Sequence, residues 1–151
     1  MTTTNASSSP SPLLGTWKLS TFVHEILKTG EKIDIMGKNP NGFITFTSGG
    51  RVDVIITAET RPNPPKSGPV PDATQLKLYQ TMMAYSGTYT LQSNLRCVFN
   101  IDCAWNEAWV GVELQRTYAI DGNHLSIALL PQIGIDGNED TAVLTWMKVT
   151  S

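Results

Sequence analysis

The sequence has little charge, few cysteines and no long apolar run. Charged residues make up 16% of the 151 residues, and the net charge is −2. Because no basic stripe is present, nucleic-acid binding is not expected. No apolar segment approaches the roughly 20 residues of a membrane-spanning helix, so no membrane partner is expected either. The first 12 residues lack the apolar core of a secretory signal, which predicts a cytoplasmic protein.

Metal-binding and cofactor-binding patterns are absent as well. Cys97 and Cys103 are six residues apart in one predicted strand, a span of about 20 Å that is too long for a disulfide. Neither these thiols nor His24 and His124 have the spacing of a metal site. No nucleophile elbow, phosphate-binding glycine loop or dinucleotide fingerprint is found. We therefore expect no metal and no cofactor, and we interpret both cysteines as buried apolar side chains.

Alternating apolar residues, interrupted by turn residues, predict about nine strands between Gly15 and Val149. A run of strands without internal repeats favours an all-β fold, here a single antiparallel up-and-down β-barrel of roughly eight to ten strands. Residues 1–12 are rich in Ser, Thr and Pro and predict a disordered tail. The barrel domain is accordingly assigned to 13–151.

One segment departs from the strand pattern. Residues 58–71 hold five of the nine prolines and predict a loop. Asp72 and Gln75 have the spacing of a helix N-cap, and the helix is predicted to run to about Met83. We expect this helix to lie across one end of the barrel as a lid, with Tyr79 and Met83 as candidate ligand contacts.

Trp17 opens the first predicted strand. If connections alternate between the two ends of the barrel, the long loops, the helix and Trp17 fall at the same end. This placement makes Trp17 a candidate part of a pocket floor beneath the lid. The alternative is a tryptophan that simply begins the hydrophobic core.

The hairpin around 48–50 decides which way Asp53 faces. A two-residue turn at Gly49 and Gly50 pairs Phe46 with Asp53 on one face, whereas a three-residue loop places them on opposite faces. We favour the two-residue turn because glycine supplies positive φ. An inward Asp53 either pairs with Arg116 or acts as a general base, and a solvated strand aspartate is the alternative.

Arg116 is a charged residue on an otherwise apolar strand face. A buried guanidinium needs a partner or an aromatic surface. We favour an arginine that stacks on a tryptophan and closes one end of the barrel, because a lone interior charge is costly. The functional alternative is an arginine that binds a carboxylate, carbonyl or enolate of a ligand.

Further candidates are less specific. His24 is a candidate acid or base, but it faces inward only if the first strand contains a bulge. Tyr85 either donates to a ligand oxygen or is an ordinary core tyrosine. Trp105 and Trp109 crowd one loop and either rim a pocket or anchor that loop. The remaining candidate ligand contacts are predicted interior side chains: Phe46, Tyr89, Phe99, Leu114, Tyr118 and Trp146.

Taken in order, several segments resemble the lipocalin-like domain proteins of bacteria and filamentous fungi. They are LLGTWKL (13–19), NPNGFITFTSGGRV (39–52), RP (61–62), AYSGTYTL (84–91), WVGVELQRTYAIDGNHLSI (109–127) and VLTW (143–146). The resemblance implies a calycin-type, lipocalin-like barrel with a central cavity, and structural positions for Trp17 and Arg116. Arg51 and Asp53 depart from the family pattern.

Similar small barrels in fungal biosynthetic pathways act as cofactor-free cyclases or isomerases, including pericyclases, on polyketide- or terpenoid-derived substrates. The resemblance thus implies a hydrophobic small-molecule partner and a cofactor-free cyclisation, cycloaddition or isomerisation. A passive carrier and a barrel packed solid are the alternatives. The sequence does not decide between a monomer and a homodimer.

Overall fold

The computed structural model describes residues 11–133 and 137–150. Its strands are β1 (Gly15–Ile26), β2 (Glu31–Ile33), β3 (Asn41–Phe46), β4 (Arg51–Thr57), β5 (Met82–Gln92), β6 (Arg96–Ala104), β7 (Glu113–Asp121), β8 (His124–Leu129), β9 (Gln132–Ile133) and β10 (Glu139–Lys148). Within the described residues, one α-helix, α1 (Asp72–Gln80), interrupts the strands between β4 and β5. The predicted tail falls mainly on residues 1–10, which lie outside the described ranges.

Eight strands form a closed antiparallel barrel. Neighbouring barrel strands follow one another along the chain, and pairing between β1 and β10 closes the barrel. The short strands β2 and β9 pair with one end of β1 and of β10, outside the ring of eight. The predicted all-β barrel with one helix is therefore confirmed. The described residues contain no helix of the length and apolarity that a membrane span requires.

The two ends of the barrel differ in their connections. Residues 47–50, 93–95 and 122–123 form tight turns at one end, which we call the turn end. The connections 27–40 and 58–81 lie at the other, the loop end, and the second of them contains α1.

The first strand enters the barrel at the turn end, because Gly15 pairs with Phe46. The predicted count of about nine barrel strands includes one directly after the turn that follows β1, but β2 lies outside the ring and only adds a hairpin to β1. Removing that strand from the count reverses the placement of Trp17. The prediction that Trp17 lies beneath the helix is wrong, because Trp17 lies at the opposite end.

The β3–β4 hairpin has a three-residue loop. Phe46 pairs with Val52, which leaves 48–50 as the loop. Gly50 has a φ of +86°, the left-handed conformation that ends three-residue hairpin loops and that glycine adopts without strain. The predicted two-residue turn is wrong, and Asp53 consequently faces outward.

An irregularity in β1 changes which residues face inward. The register between β1 and β10 shifts between Leu19 and Thr21. Leu19 is buried before the shift and Phe22 is buried after it, so alternation restarts with a changed parity. His24 shares the face of Phe22 and pairs with the buried Ala142. The bulge on which an inward His24 depends is therefore present.

Aromatic side chains fill the turn end. The ring of Phe46 lies 4.9 Å from that of Tyr89 and 6.0 Å from that of Phe99, measured between centroids. Trp17 is fully buried, and its indole Nε1 donates to the carbonyl oxygen of Leu13 at 2.9 Å. Apolar burial of this extent is the main stabilising contribution in a domain of this size.

Helix α1 is shorter and more exposed than its sequence pattern predicts. It ends at Gln80, so Met83 belongs to β5 instead. Asp72 is the first helical residue and makes no side-chain cap. No residue of α1 is buried, and Leu76 and Tyr79 remain 55% and 46% exposed. The helix is therefore held by its ends and not by an apolar face.

Arg61 provides one such attachment at the C-terminal end of α1. Its Nη2 donates to the carbonyl oxygen of Leu78 at 3.0 Å, and its Nε donates to Thr81 Oγ1 at 3.1 Å. A cation at this position also complements the negative end of the helix dipole. The contact keeps α1 at the loop end, next to the start of β5.

Candidate functional site

An interior cavity of about 90 Å³ lies within the barrel. The predicted site residues that line it are Met83, Tyr85, Phe99, Trp109, Arg116 and Trp146. Five strands contribute the remaining wall: Phe22, Ile44, Ile56, Ile127, Leu129 and Leu144. The barrel is therefore not packed solid, and its cavity is mostly apolar with a few polar groups.

Three residues of the cavity wall were not identified from the sequence: Phe22, Ile44 and Ile56. Phe22 follows the irregularity in β1, so strict alternation from Trp17 places its side chain on the wrong face. Ile44 and Ile56 lie two residues from Phe46 and Val54, which are buried, and ordinary alternation would have identified both.

A second, larger space of about 620 Å³ shares part of its lining with the cavity. We call it the side groove; its lining comprises Ala108 and Trp109, residues 112–116 at the start of β7, and residues 129–131 at the end of β8 and just after it. The β7–β8 ladder reaches only to the pair of Arg116 and Leu129. The first residues of β7 thus have no β8 partner, and this leaves room for the groove.

Three side chains line both spaces: Trp109, Arg116 and Leu129. Leu114 lines the side groove but not the interior cavity. Glu107–Trp109 form a 3-10 turn, and β7 begins only at Glu113. That turn is what brings Trp109 to the junction.

Arg116 has no carboxylate partner among the described residues. The side chain is half-buried, and its Nη1 donates to the carbonyl oxygen of Gln115 at 3.0 Å. Burial lowers the pKa of Arg116 from 12.5, although an arginine keeps its proton at neutral pH. A guanidinium has five N–H donors, so most of its donor capacity remains for a ligand.

The tryptophan stacking predicted for Arg116 is made by a different residue. Lys148 Nζ lies 4.6 Å from the centroid of the Trp17 ring. Arg116 has no such contact in the described part of the chain. The predicted stacking of Arg116 on a tryptophan is therefore wrong.

Tyr85 lies beside Arg116 in the cavity wall. Burial raises the pKa of Tyr85 to about 12, and the positive charge of Arg116 opposes part of that rise. The hydroxyl therefore keeps its proton at neutral pH. Burial likewise raises the pKa of the neighbouring Cys97 thiol to about 11, so this thiol is not a thiolate nucleophile.

Aromatic rings connect the helix with the cavity. The Tyr79 ring lies 6.4 Å from Trp105, Trp105 lies 5.1 Å from Trp109, and Trp109 lies 5.5 Å from Tyr85. Of these four rings, those of Tyr79 and Trp105 do not line the cavity. They extend its apolar surface toward α1 at the loop end.

His24 contacts a residue that the sequence did not single out. Its Nε2 lies 3.5 Å from Oδ2 of Asp140, which is 8% exposed. Alternation back from Trp146 along β10 would have placed Asp140 on the inner face. Neither His24 nor Asp140 is among the residues that line the cavity or the groove.

Asp53 belongs to a polar network on the outer surface. Ser86 Oγ donates to Asp53 Oδ1 at 2.5 Å and accepts from Arg51 Nη2 at 3.0 Å. Arg51 also pairs with Asp102 through N–O distances of 2.8 and 3.0 Å. The predicted inward position of Asp53 is wrong.

Other candidates lie in the core. Trp17, Phe46 and Tyr89 pack at the turn end, and Tyr118 is half-buried against the core. None of these four lines the cavity. Cys97 is buried as predicted, whereas Cys103 is exposed because the β5–β6 register shifts after Ser86. Residues 11–133 and 137–150 contain no group of three potential metal ligands.

A closed eight-stranded antiparallel barrel with an apolar interior cavity is a lipocalin-type barrel, a fold that holds small molecules. The family model described as a lipocalin-like domain matches residues 14–149. The chain therefore belongs to the lipocalin-like domain family. No curated protein matches the sequence.

Proposed function

We propose that the barrel binds a hydrophobic small molecule whose oxygen-bearing end contacts Arg116. The observation that carries this proposal is the position of Arg116, which lines both the interior cavity and the side groove. A half-buried guanidinium without a carboxylate partner favours an anionic or carbonyl oxygen from a ligand. The apolar wall around it favours a hydrocarbon body.

The sizes of the two spaces set the way in which a ligand is held. The interior cavity, about 90 Å³, is smaller than the roughly 150 Å³ of an engineered cavity that binds benzene. Drug-sized ligands usually occupy about 300–1,000 Å³. A larger ligand therefore places one end inside the barrel and the rest in the side groove of about 620 Å³. Arg116, Trp109 and Leu129 lie where the two parts meet.

Catalysis is the second candidate function. We propose a cofactor-free cyclisation, cycloaddition or isomerisation of a polyketide- or terpenoid-type substrate in secondary-metabolite biosynthesis. Its support is an apolar site that contains a guanidinium, Arg116, and a protonated phenol, Tyr85. Pre-organisation of a reactive conformer lowers a barrier by up to about 7–11 kcal/mol, and donors at a developing enolate add electrostatic stabilisation. His24 contacts Asp140 outside the lining residues, so the geometry does not support it as the base.

Binding is tested with decanoate and 1-decanol, which share a chain and differ in the head group. Arg116→Gln is expected to weaken decanoate binding about 10-fold to 100-fold, the loss of one charged hydrogen bond, and to affect 1-decanol much less. Arg51→Gln is the matched control, since Arg51 pairs with Asp102 on the outer surface. Titration calorimetry measures the affinity of each variant for decanoate and for 1-decanol. Equal decanoate affinity in Arg116→Gln and the wild type would contradict the proposal.

Catalysis is tested separately, with linear polyene ketones and prenylated β-diketones in large excess over the protein. Product formation is followed by mass spectrometry and chiral chromatography. A catalyst is expected to give many turnovers and one enantiomer in excess, and Arg116→Gln is expected to lower the rate. Binding without turnover above the protein-free background identifies a carrier and rejects the catalytic proposal.

A further inference from the structure

The first three residues of β7 form an open strand edge. On one side of them, β6 pairs with β7 as far as Glu113. On the other side, the β8 ladder ends at Arg116, so residues 113–115 have no strand partner there within the described part of the chain. The same residues line the side groove, and residues 129–131 line it as well. The open edge therefore belongs to the proposed binding site.

The alternation of an antiparallel ladder shows where the backbone groups of this edge point. Successive residues direct their N–H and C=O groups toward opposite neighbours. The N–H of Tyr118 donates to the carbonyl oxygen of Leu95, next to β6, and the C=O of Val112 accepts from a residue of β6. Even-numbered residues in this stretch thus bond toward β6. The backbone groups of Glu113 and Gln115 point to the other side, where β8 does not reach.

The guanidinium of Arg116 lies beside this edge. Its Nη1 donates to the carbonyl oxygen of Gln115 at 3.0 Å. The N–H of Gln115 points to the same side as that carbonyl, which places a second donor near the cation. The Gln115 N–H and the Glu113 C=O form no backbone hydrogen bond with any described residue. An occupant of the edge therefore meets two donors, the cation and the N–H, and one backbone acceptor.

The edge is short, which favours a small occupant over a partner strand. It spans residues 113–115, because the β8 ladder ends at Arg116 and β7 begins at Glu113. A typical strand has about five to six residues. One extended amino-acid residue fits this edge. In parallel pairing, the N–H and C=O of one residue bond to the C=O and N–H that flank the residue opposite, here the groups on either side of Leu114.

We propose that the barrel recognises an N-acyl α-amino acid. Its amide N–H donates to the Glu113 C=O, and its carboxylate accepts from the Gln115 N–H and contacts Arg116. Its acyl chain packs on Trp109 and Leu129 and enters the interior cavity, which both side chains also line. This proposal rests on the proposed binding function and specifies the ligand class. Arg116 alone accepts any organic acid, whereas the backbone edge selects one with an adjacent amide.

The first test changes one atom of the ligand. N-octanoylglycine is compared with the octanoyl ester of glycolic acid, which has the same length and carboxylate but an oxygen in place of the N–H. Titration calorimetry on the full-length protein is expected to show binding of the amide that is about fivefold tighter or more, because the ester forms one hydrogen bond fewer.

The second test follows the backbone amides by two-dimensional ¹H–¹⁵N NMR. The Gln115 amide proton is expected to shift downfield when N-octanoylglycine binds, since it gains a charged acceptor. The Ala119 amide is the internal control. It lies on the same side of β7 but is paired with Ser126 in the β8 ladder, so it is expected to stay in place.

Gln115→Pro removes the edge N–H at a position where no ladder bond is lost, and it is expected to weaken N-octanoylglycine binding about fivefold. Gln115→Ala removes the same side chain but keeps the N–H, so its affinity is expected to stay within twofold of the wild type. The two wild-type tests need no variant, so misfolding of Gln115→Pro does not weaken them.

Equal affinity for the amide and the ester, or an unmoved Gln115 amide, would overturn the assignment of the ligand class. Decanoate binding that depends on Arg116 would still leave the proposed binding function standing. If neither N-octanoylglycine nor decanoate binds, both proposals are wrong.

Discussion

The ammonium group of Lys148 lies over the indole of Trp17, 4.6 Å from the ring centroid, and donates a hydrogen bond to the Leu14 carbonyl. These contacts join the last residue of β10 to the start of β1, where the barrel closes. The sequence led us to expect an arginine in this role. The cation instead comes from the other end of the chain, and Arg116 is left facing the cavity.

Removal of the Lys148 side chain should loosen this closure. We expect Lys148→Ala to lower the free energy of unfolding by about 1–2 kcal/mol, because a half-buried cation–π contact and a hydrogen bond are lost together. Lys18→Ala is the matched control, since Lys18 lies 4.9 Å over Phe43 at an exposed site and should change stability by less than about 0.5 kcal/mol. Urea denaturation compares the two. Equal losses would contradict a special role for Lys148.

Gly87 should tolerate no side chain. A Cβ at this position would lie 2.0 Å from the carbonyl oxygen of Asn100 and 2.9 Å from the Cα of Ile101. Backbone atoms cannot move aside cheaply, so Gly87→Ala is expected to cost about 2–3 kcal/mol or more.

Gly49→Ala is the control for this substitution. Its Cβ would meet nothing closer than Thr47 Oγ1 at 3.9 Å, so its melting temperature should stay near that of the wild type. Comparable losses in the two variants would show that the β5–β6 contact is not the constraint.

Alkaline pH should destabilise the fold through Tyr85. Its folded-state pKa is raised to about 12 from 10, so the folded protein holds this proton more tightly than the unfolded chain. The resulting stability is present below pH 10 and is lost as the pH rises from 10 through 12. Because one pKa unit corresponds to about 1.4 kcal/mol, we expect a loss of about 2 kcal/mol in this window. Tyr85→Phe should remove this loss, and urea denaturation at pH 9, 10, 11 and 12 provides the measurement. Stability curves that run parallel in the two proteins would contradict the prediction.

The two thiols should differ sharply in reactivity. Cys103 is exposed, whereas Cys97 is fully buried and has a pKa of about 11. At pH 8 only about one Cys97 in a thousand is a thiolate, so a disulfide reagent should modify one thiol per native chain and two in denaturant. Cys103→Ser should abolish the fast reaction and Cys97→Ser should preserve it. Two fast thiols in the native protein would show that the barrel wall opens at β6.

Much of the cavity wall could be predicted from alternation alone. Residues such as Tyr85, Phe99 and Trp146 belong to strands in which every second side chain is apolar, and such strands bury one face. Arg116 was found because a charge on such a face is unusual. The outward position of Asp53 was not predictable in the same way, because one residue more or less in a glycine turn reverses every following side chain.

Helix α1 also differs from its prediction, in its packing and not in its position. Asp72 and Gln75 have the spacing of a cap, and they marked the start of α1 to within one residue. Its apolar residues predicted a packed face, but Leu76 and Tyr79 are exposed. Local signals thus located the helix, whereas its packing depends on the surface of the barrel beneath it.

The amino-acid sequence by itself determined the strand order, the position of the helix and most of the apolar interior, because these follow from local periodicity and turn chemistry. Only the tertiary structure decided the turn of β3–β4, the irregularity in β1 and the contacts that unite residues far apart in the chain. Lys148 over Trp17 and Asp140 beside His24 both depend on the register of β1 against β10. That register is set when the whole sheet closes, and closure minimises the free energy of all the strands together.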